Sequence, residues 1–125
     1  MKEIDTDILI IGAGLVGLVA AHCMSLLKYN VVLIDKKKLK NVKIPDEDNR
    51  TVAVSEGSKQ FLNTIFLWDG IEKNAKSIKK IKVFDRSSSN KILFENPDKD
   101  KKLGYVIENF KFTKYFLEKI NKKKM

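Results

Sequence analysis

Three glycines constrain this chain more than any other feature. Gly12, Gly14 and Gly17 stand in G-x-G-x-x-G spacing, directly after the apolar run Asp7-Ile8-Leu9-Ile10-Ile11. A short continuous apolar run suits a strand buried on both faces, as in a parallel sheet. Beyond the glycines, Leu18, Val19, Ala21, Cys23, Leu26 and Leu27 predict a helix that is apolar around most of its circumference and closes at Tyr29-Asn30. Val31-Val32-Leu33-Ile34 predicts a second buried strand, with Asp35 at its end. Strand, glycine turn, helix and strand in about 30 residues make one βαβ unit.

A glycine triplet alone is a weak signal, but this one opens a helix and is answered by an acid 18 residues after Gly17. The first glycine permits the tight turn, the second lets a pyrophosphate approach the backbone, and the third lets helix and strand pack closely. A diphosphate then sits at the helix N-terminus, where free N–H groups and the helix dipole favour negative charge. A carboxylate at Asp35 accepts hydrogen bonds from ribose hydroxyls and repels a 2′-phosphate, which favours FAD or NAD over NADP. The competing reading is a glycine turn in an unliganded α/β domain with Asp35 solvated. The complete fingerprint in order weighs against it.

Lys36 to Asn49 is polar, contains Pro45 and reads as a loop. Thr51 to Val54 fits either an extended piece or a helix entry. Ser55 is an expected N-cap, with Phe61, Leu62, Ile65 and Phe66 on one face of the helix that follows. Trp68 to Ile71 is expected to end that helix and start a short one. From Ile81 the period changes to two. Ile81 and Val83, then Ile92 and Phe94, flank the turn residues Ser87-Ser88-Ser89-Asn90 and predict a β-hairpin. Tyr105-Val106-Ile107 reads as a strand, and Phe112, Tyr115, Phe116 and Ile120 as the apolar face of a last helix. No repeat or low-complexity linker interrupts the chain, so residues 1–125 are read as a single domain.

Asp48-Asn49-Arg50-Thr51-Val52-Ala53-Val54-Ser55 resembles the D-x-R-x-x-A-x-S stretch of flavin-dependent aromatic hydroxylases. Leu67-Trp68, the Ile81 to Phe94 hairpin and Leu103-Gly104-Tyr105-Val106-Ile107-Glu108-Asn109 follow in the order found in the ubiquinone-biosynthesis hydroxylases. The resemblance implies an α/β fold: a Rossmann-like FAD-binding βαβ unit with an added β-hairpin, incomplete relative to the full family fold. It implies cofactor-binding roles for Arg50 and Asn109 beside Gly12, Gly14, Gly17 and Asp35, and an adenosine contact for Lys36. The bland alternatives are a loop arginine, a helix-capping asparagine and a solvated lysine.

By the same resemblance, NAD(P)H is the electron donor and the substrate is an aromatic ring, a prenylated phenol. The family's later Gly-Asp segment, most of its substrate sheet and its C-terminal helices have no counterpart here. The expectation is therefore an N-terminal fragment of a longer monooxygenase that is poorly soluble or partly molten by itself and lacks hydroxylase activity.

Composition narrows the alternatives. Hydrophobic residues make up 43% and charged residues 33%, which is globular rather than disordered. The net charge of +9 is nearly all lysine, with arginine only at Arg50 and Arg86. Nucleic-acid readers favour arginine forks, so no nucleic-acid partner is expected. A lysine-biased surface leaves weak attraction to anionic lipid or acidic partners, and the resemblance adds contact with a ubiquinone-biosynthesis complex or a peripheral membrane surface. No apolar run reaches the roughly 20 residues of a membrane span, and the N-terminus lacks a signal-peptide pattern. A cytoplasmic location, peripheral to the inner membrane at most, is expected. Cys23 is the only cysteine and His22 the only histidine. Both fall inside the first helix and read as packed residues, with no catalytic side chain and no metal cluster expected. That suits an enzyme whose cofactor carries the hard chemistry. Two further readings stay open: the nucleotide-binding domain of an NAD-dependent dehydrogenase, and a non-catalytic nucleotide-binding remnant. The hairpin after Ile81 argues against the first, because a dehydrogenase would continue as alternating strands and helices.

Overall fold

The two β-branched runs flanking the glycine turn pair side by side. The computed structural model describes residues 3–36, 49–87 and 89–122. The predicted loop from Lys36 to Asn49 lies almost wholly outside the described residues, as does Asp48. The chain divides into two compact units, Met1–Asn49 with Asn109–Met125, and Arg50–Glu108.

In the first unit β1 (Ile8–Ile11) and β2 (Val31–Ile34) are parallel, with Ile8 opposite Val31 and Ile11 opposite Ile34. The crossover is α1 (Leu15–Leu26), which buries Leu18, Ala21 and His22. It closes slightly before the predicted Tyr29-Asn30: Lys28 takes φ +70° and Tyr29 N–H returns to the Met24 carbonyl. The last helix of the chain, Asn109–Lys122 (named α4 below), packs on α1 and buries Phe112, Phe116 and Leu117. The rings of Phe112 and Phe116 are 4.6 Å apart. The expectation that β1 is buried on both faces is corrected here. Ile8 and Ile10 are half-buried, whereas Leu9 is 54% and Ile11 78% exposed. Alternate residues of a strand point to opposite faces, and α1 packs against one of them.

In the second unit β7 (Gly104–Glu108) is the middle strand of an antiparallel sheet ordered β3-β7-β4. Its neighbours are β3 (Thr51–Ser55) and β4 (Lys76–Ile78). The ambiguity at Thr51 to Val54 thus resolves as a strand. Lys76-Ser77-Ile78 shows no apolar alternation, and its pairing is visible only in three dimensions.

The Ser55 hydroxyl accepts from Ser58 N–H at 3.1 Å and caps α2 (Glu56–Thr64), as predicted. The expected four-residue apolar face is only half realised. Leu62 and Ile65 are buried, but Phe61 is 49% and Phe66 73% exposed. The helix stops at Thr64 and Phe66 takes φ +59°, which removes it from the helical phase. Trp68 is buried before the short α3 (Asp69–Glu72), its ring edge-on to Tyr105 at 4.9 Å. Lys59 donates to the Tyr105 hydroxyl at 2.9 Å, and this hydrogen bond raises the lysine pKa.

The predicted hairpin forms from β5 (Lys80–Phe84) and β6 (Lys91–Glu95). One face carries Ile81, Val83, Ile92 and Phe94, all exposed. The other carries the Lys80–Glu95 ion pair at 3.0 Å, with Lys91 Nζ 5.7 Å from the Phe84 ring centre.

Candidate nucleotide site at the glycine turn

Parallel pairing brings the C-terminal ends of β1 and β2 together, so Gly12 and Asp35 emerge side by side. Gly12 N–H donates to the Ile34 carbonyl at 2.7 Å, extending the ladder by one residue. Gly12 then turns at φ +106°, a conformation that side chains with a Cβ rarely adopt. Ala13 N–H donates to Asp35 Oδ2, also at 2.7 Å.

Gly14 is the N-cap of α1, with φ −69° and ψ 178°. The first bond inside the helix is Leu18 N–H to the Gly14 carbonyl, at 2.9 Å. The amides of Leu15, Val16 and Gly17 therefore have no acceptor within the helix. No side chain caps them, and the first turn contains no acid. The contrast with α2 is direct, since α2 carries both the Ser55 cap and Glu56.

The remaining two glycines differ in what a side chain would meet. A Cβ on Gly14 would point into open space, with no atom within 4 Å. A Cβ on Gly17 would lie 1.9 Å from the Gly12 carbonyl oxygen. Gly17 is thus fixed by helix–strand packing, whereas nothing in the fold requires glycine at Gly14.

An open groove of about 480 Å³ runs past the turn, lined by Ile11, Gly12, Ile34, Asp35 and Lys36. Sequence reasoning passed over Ile11 and Ile34. Their exposure, 78% and 46%, makes them an apolar wall beside the Asp35 carboxylate. Their position as the last residues of paired strands was the only available signal.

The structure brings Gly12, Gly14, Gly17, Asp35 and Lys36 together in one unit. Asn109 belongs to the same unit as the first residue of α4, half-buried, its carbonyl accepting from the Thr113 hydroxyl. Arg50 opens the other unit, exposed, one residue before β3. His22 is buried at 4% exposure inside α1. Cys23 is half-buried, and burial pushes its thiol pKa up. Among the described residues no group of three His, Cys, Asp or Glu side chains is placed to hold a metal ion. No described helix is long and apolar enough to cross a membrane.

Residues 10–39 match the NAD(P)-binding Rossmann-like domain. Over 103 residues the chain is 30% identical to the ubiquinone hydroxylase UbiL of Rhodospirillum rubrum, covering 82% of this chain and 24% of that protein. It is 28% identical to the ubiquinone hydroxylase UbiM of Neisseria meningitidis over 113 residues, covering 86% of this chain and 24% of the relative. The chain thus spans about a quarter of the length of the curated relatives it matches.

Among solved structures, p-nitrophenol 4-monooxygenase PnpA from Pseudomonas putida superposes with a TM-score of 0.70 at 16% identity. The match covers 98% of this chain and 30% of that one. HpxO from Klebsiella pneumoniae, solved as an R204Q variant complexed with FAD, gives 0.66 at 13% identity, over 95% and 30% of the two chains. At such identities the likeness is one of fold. Residues 10–39 are thus similar to an NAD(P)-binding Rossmann-like domain, and over most of its own length the chain is similar to about a quarter of the ubiquinone hydroxylases' length.

Proposed function

We propose that this chain is the FAD-binding portion of a flavin-dependent hydroxylase that acts on a polyprenylated aromatic ring in ubiquinone biosynthesis. One observation carries the proposal: the N-terminus of α1 is left without a cap of its own, beside a Gly14 that faces open space. The amides of Leu15, Val16 and Gly17 suit a diphosphate there. Asp35 suits the ribose diol, and Ile11 and Ile34 give the adenine an apolar wall. These residues fit the ADP half of FAD. The names of the curated relatives, and the FAD complex of HpxO, favour the flavin over a nicotinamide at this turn.

Bound FAD, reduced by NAD(P)H, supplies the oxygen activation. The chain's own part is to orient the dinucleotide. Arg50 is assigned to phosphate or ribose oxygens, which a guanidinium fork suits, and Asn109 to a polar contact at the start of α4. No residue of the chain is assigned a proton-transfer or nucleophilic role. The chain by itself is expected to be inactive, and rapid NADH oxidation by the purified protein with added FAD would overturn that. A net charge of +9 supports weak peripheral attraction to anionic lipid.

The deciding experiment titrates FAD and ADP into the wild type and Gly14→Val. A side chain at Gly14 meets no other atom, so the variant should fold, with a melting temperature lowered only slightly because valine is a poorer N-cap than glycine. The valine would occupy the space a diphosphate needs, and affinity should fall at least about tenfold. Equal affinities would refute the assignment. The absorbance of the bound cofactor separates this reading from an NAD-dependent dehydrogenase, since oxidised flavin is yellow and nicotinamides are not.

A further inference from the structure

Asp35 does more in this structure than end a strand next to a groove. Its Oδ2 accepts the Ala13 N–H at 2.7 Å, while the preceding amide, Gly12, is held by the Ile34 carbonyl at the same distance. The first two amides of the glycine turn are therefore both engaged by the end of β2, one by its main chain and one by its acid. Ala13 is 7% exposed and its bond to the carboxylate is part-buried, so water competes for that N–H only partly. Leaving such a donor unsatisfied is costly, and a bond to a charged acceptor is among the stronger kinds.

We infer that Asp35 is a positioning residue for the glycine turn, locking it through Ala13 N–H into the shape that presents the α1 amides, in addition to accepting from the ribose. The inference rests on the nucleotide reading above and extends it. A carboxylate has about four lone-pair sites, so the bond to Ala13 and a bond from a diol do not exclude each other. The lock also partitions the turn. Gly12 and Ala13 amides serve the protein, and the diphosphate is left to the amides from Gly14 onward. The carboxylate's charge is thereby spent on the amide nearest β2. Its cost is electrostatic, because a carboxylate beside the turn repels the anion it helps to seat.

That balance gives the test a sign. Wild type, Asp35→Asn and Asp35→Ala are compared with ADP and with 2′,3′-dideoxy-ADP, which has no 2′- or 3′-hydroxyl to donate to the carboxylate. Amide hydrogen exchange at Ala13 is followed in the nucleotide-free proteins. Asparagine keeps an acceptor for Ala13 N–H and removes the charge, and alanine removes both. If Asp35 locks the turn, Asp35→Ala binds dideoxy-ADP about tenfold more weakly than wild type. Asp35→Asn binds it as well as wild type or better, and Ala13 exchange accelerates only in the alanine variant. If Asp35 acts on the ribose alone, Asp35→Ala binds dideoxy-ADP as well as wild type or better and Ala13 exchange is unchanged, which overturns the inference. Should Asp35→Ala fail to fold, Asp35→Leu, close to aspartate in size and without an acceptor, takes its place in both arms: accelerated Ala13 exchange supports the lock, and unchanged exchange refutes it. The exchange arm needs no ligand. Absence of any nucleotide binding by the wild type would therefore sink the function proposed above while leaving the lock to be judged by exchange.

Discussion

Gly14 and Gly17 sit three residues apart and are glycine for different reasons. At Gly17 a single methyl group would meet the Gly12 carbonyl oxygen at 1.9 Å. Backbone, not a flexible side chain, would have to move, and the atom that moves belongs to the turn itself. Gly17→Ala should therefore lower stability by about 1–3 kcal/mol through overpacking, read as a lower urea midpoint at constant slope. Gly14→Val, which meets no atom, should lower that midpoint less, by no more than the loss of a good N-cap residue. Equal midpoints for wild type and Gly17→Ala would mean that the helix and the turn are not in contact in solution. Both glycines were legible in the sequence as members of one motif. The motif also assigned the close packing to Gly17 and the diphosphate's approach to Gly14; the structure adds the crowding at Gly17 and the open space at Gly14.

The helices carry a parallel contrast. α2 satisfies its own N-terminus, with the Ser55 hydroxyl accepting from Ser58 N–H and Glu56 in the first turn facing the positive end of the dipole. Ser55→Ala should cost about 1 kcal/mol, measurable as a lower melting temperature. An unchanged melting temperature would argue that this helix is held by Leu62 and Ile65 alone. α1 has no such device at its N-terminus. Ser55 and its helix could be read directly, because a cap and the turn it serves lie within four residues of each other. The apolar face of α2 was harder to read, since periodicity continues on paper through Phe66 while the chain leaves the helix after Thr64.

Across the whole molecule, apolar sheet faces meet solvent in both units. Leu9 and Ile11 do so in the first, and Ile81, Val83, Ile92 and Phe94 in the second. A two-stranded hairpin is marginally stable by itself in water, and a contiguous apolar face of this kind marks an interaction surface or an aggregation hazard. The opposite face is mixed, with Lys80, Lys82, Lys91 and Glu95 beside the exposed Phe84 and Leu93. The purified chain should enhance the fluorescence of an apolar dye such as ANS. An Ile92→Thr/Phe94→Thr variant should reduce that signal with little loss of melting temperature, because neither side chain is buried. A dye signal that persists unchanged would place the exposed apolar surface elsewhere.

The βαβ unit, its glycine turn, the Ser55 cap and the β5–β6 hairpin were readable from the order of residues. Each is written in a short-range period or in spacings of a few residues, and the backbone obeys such patterns before any distant contact forms. Sheet membership is not local. β4 pairs with β7 across 26 residues, from Ile78 to Gly104, and its sequence has no alternation to announce it. Which face of β1 is covered depends on where α1 lies. The Asp35 carboxylate reaches the Ala13 amide, 22 residues earlier, because parallel pairing of β1 with β2 brings the two strand ends together. Strand partners and covered faces are chosen by side-chain packing between segments far apart in the chain, so they emerge only when the chain is folded.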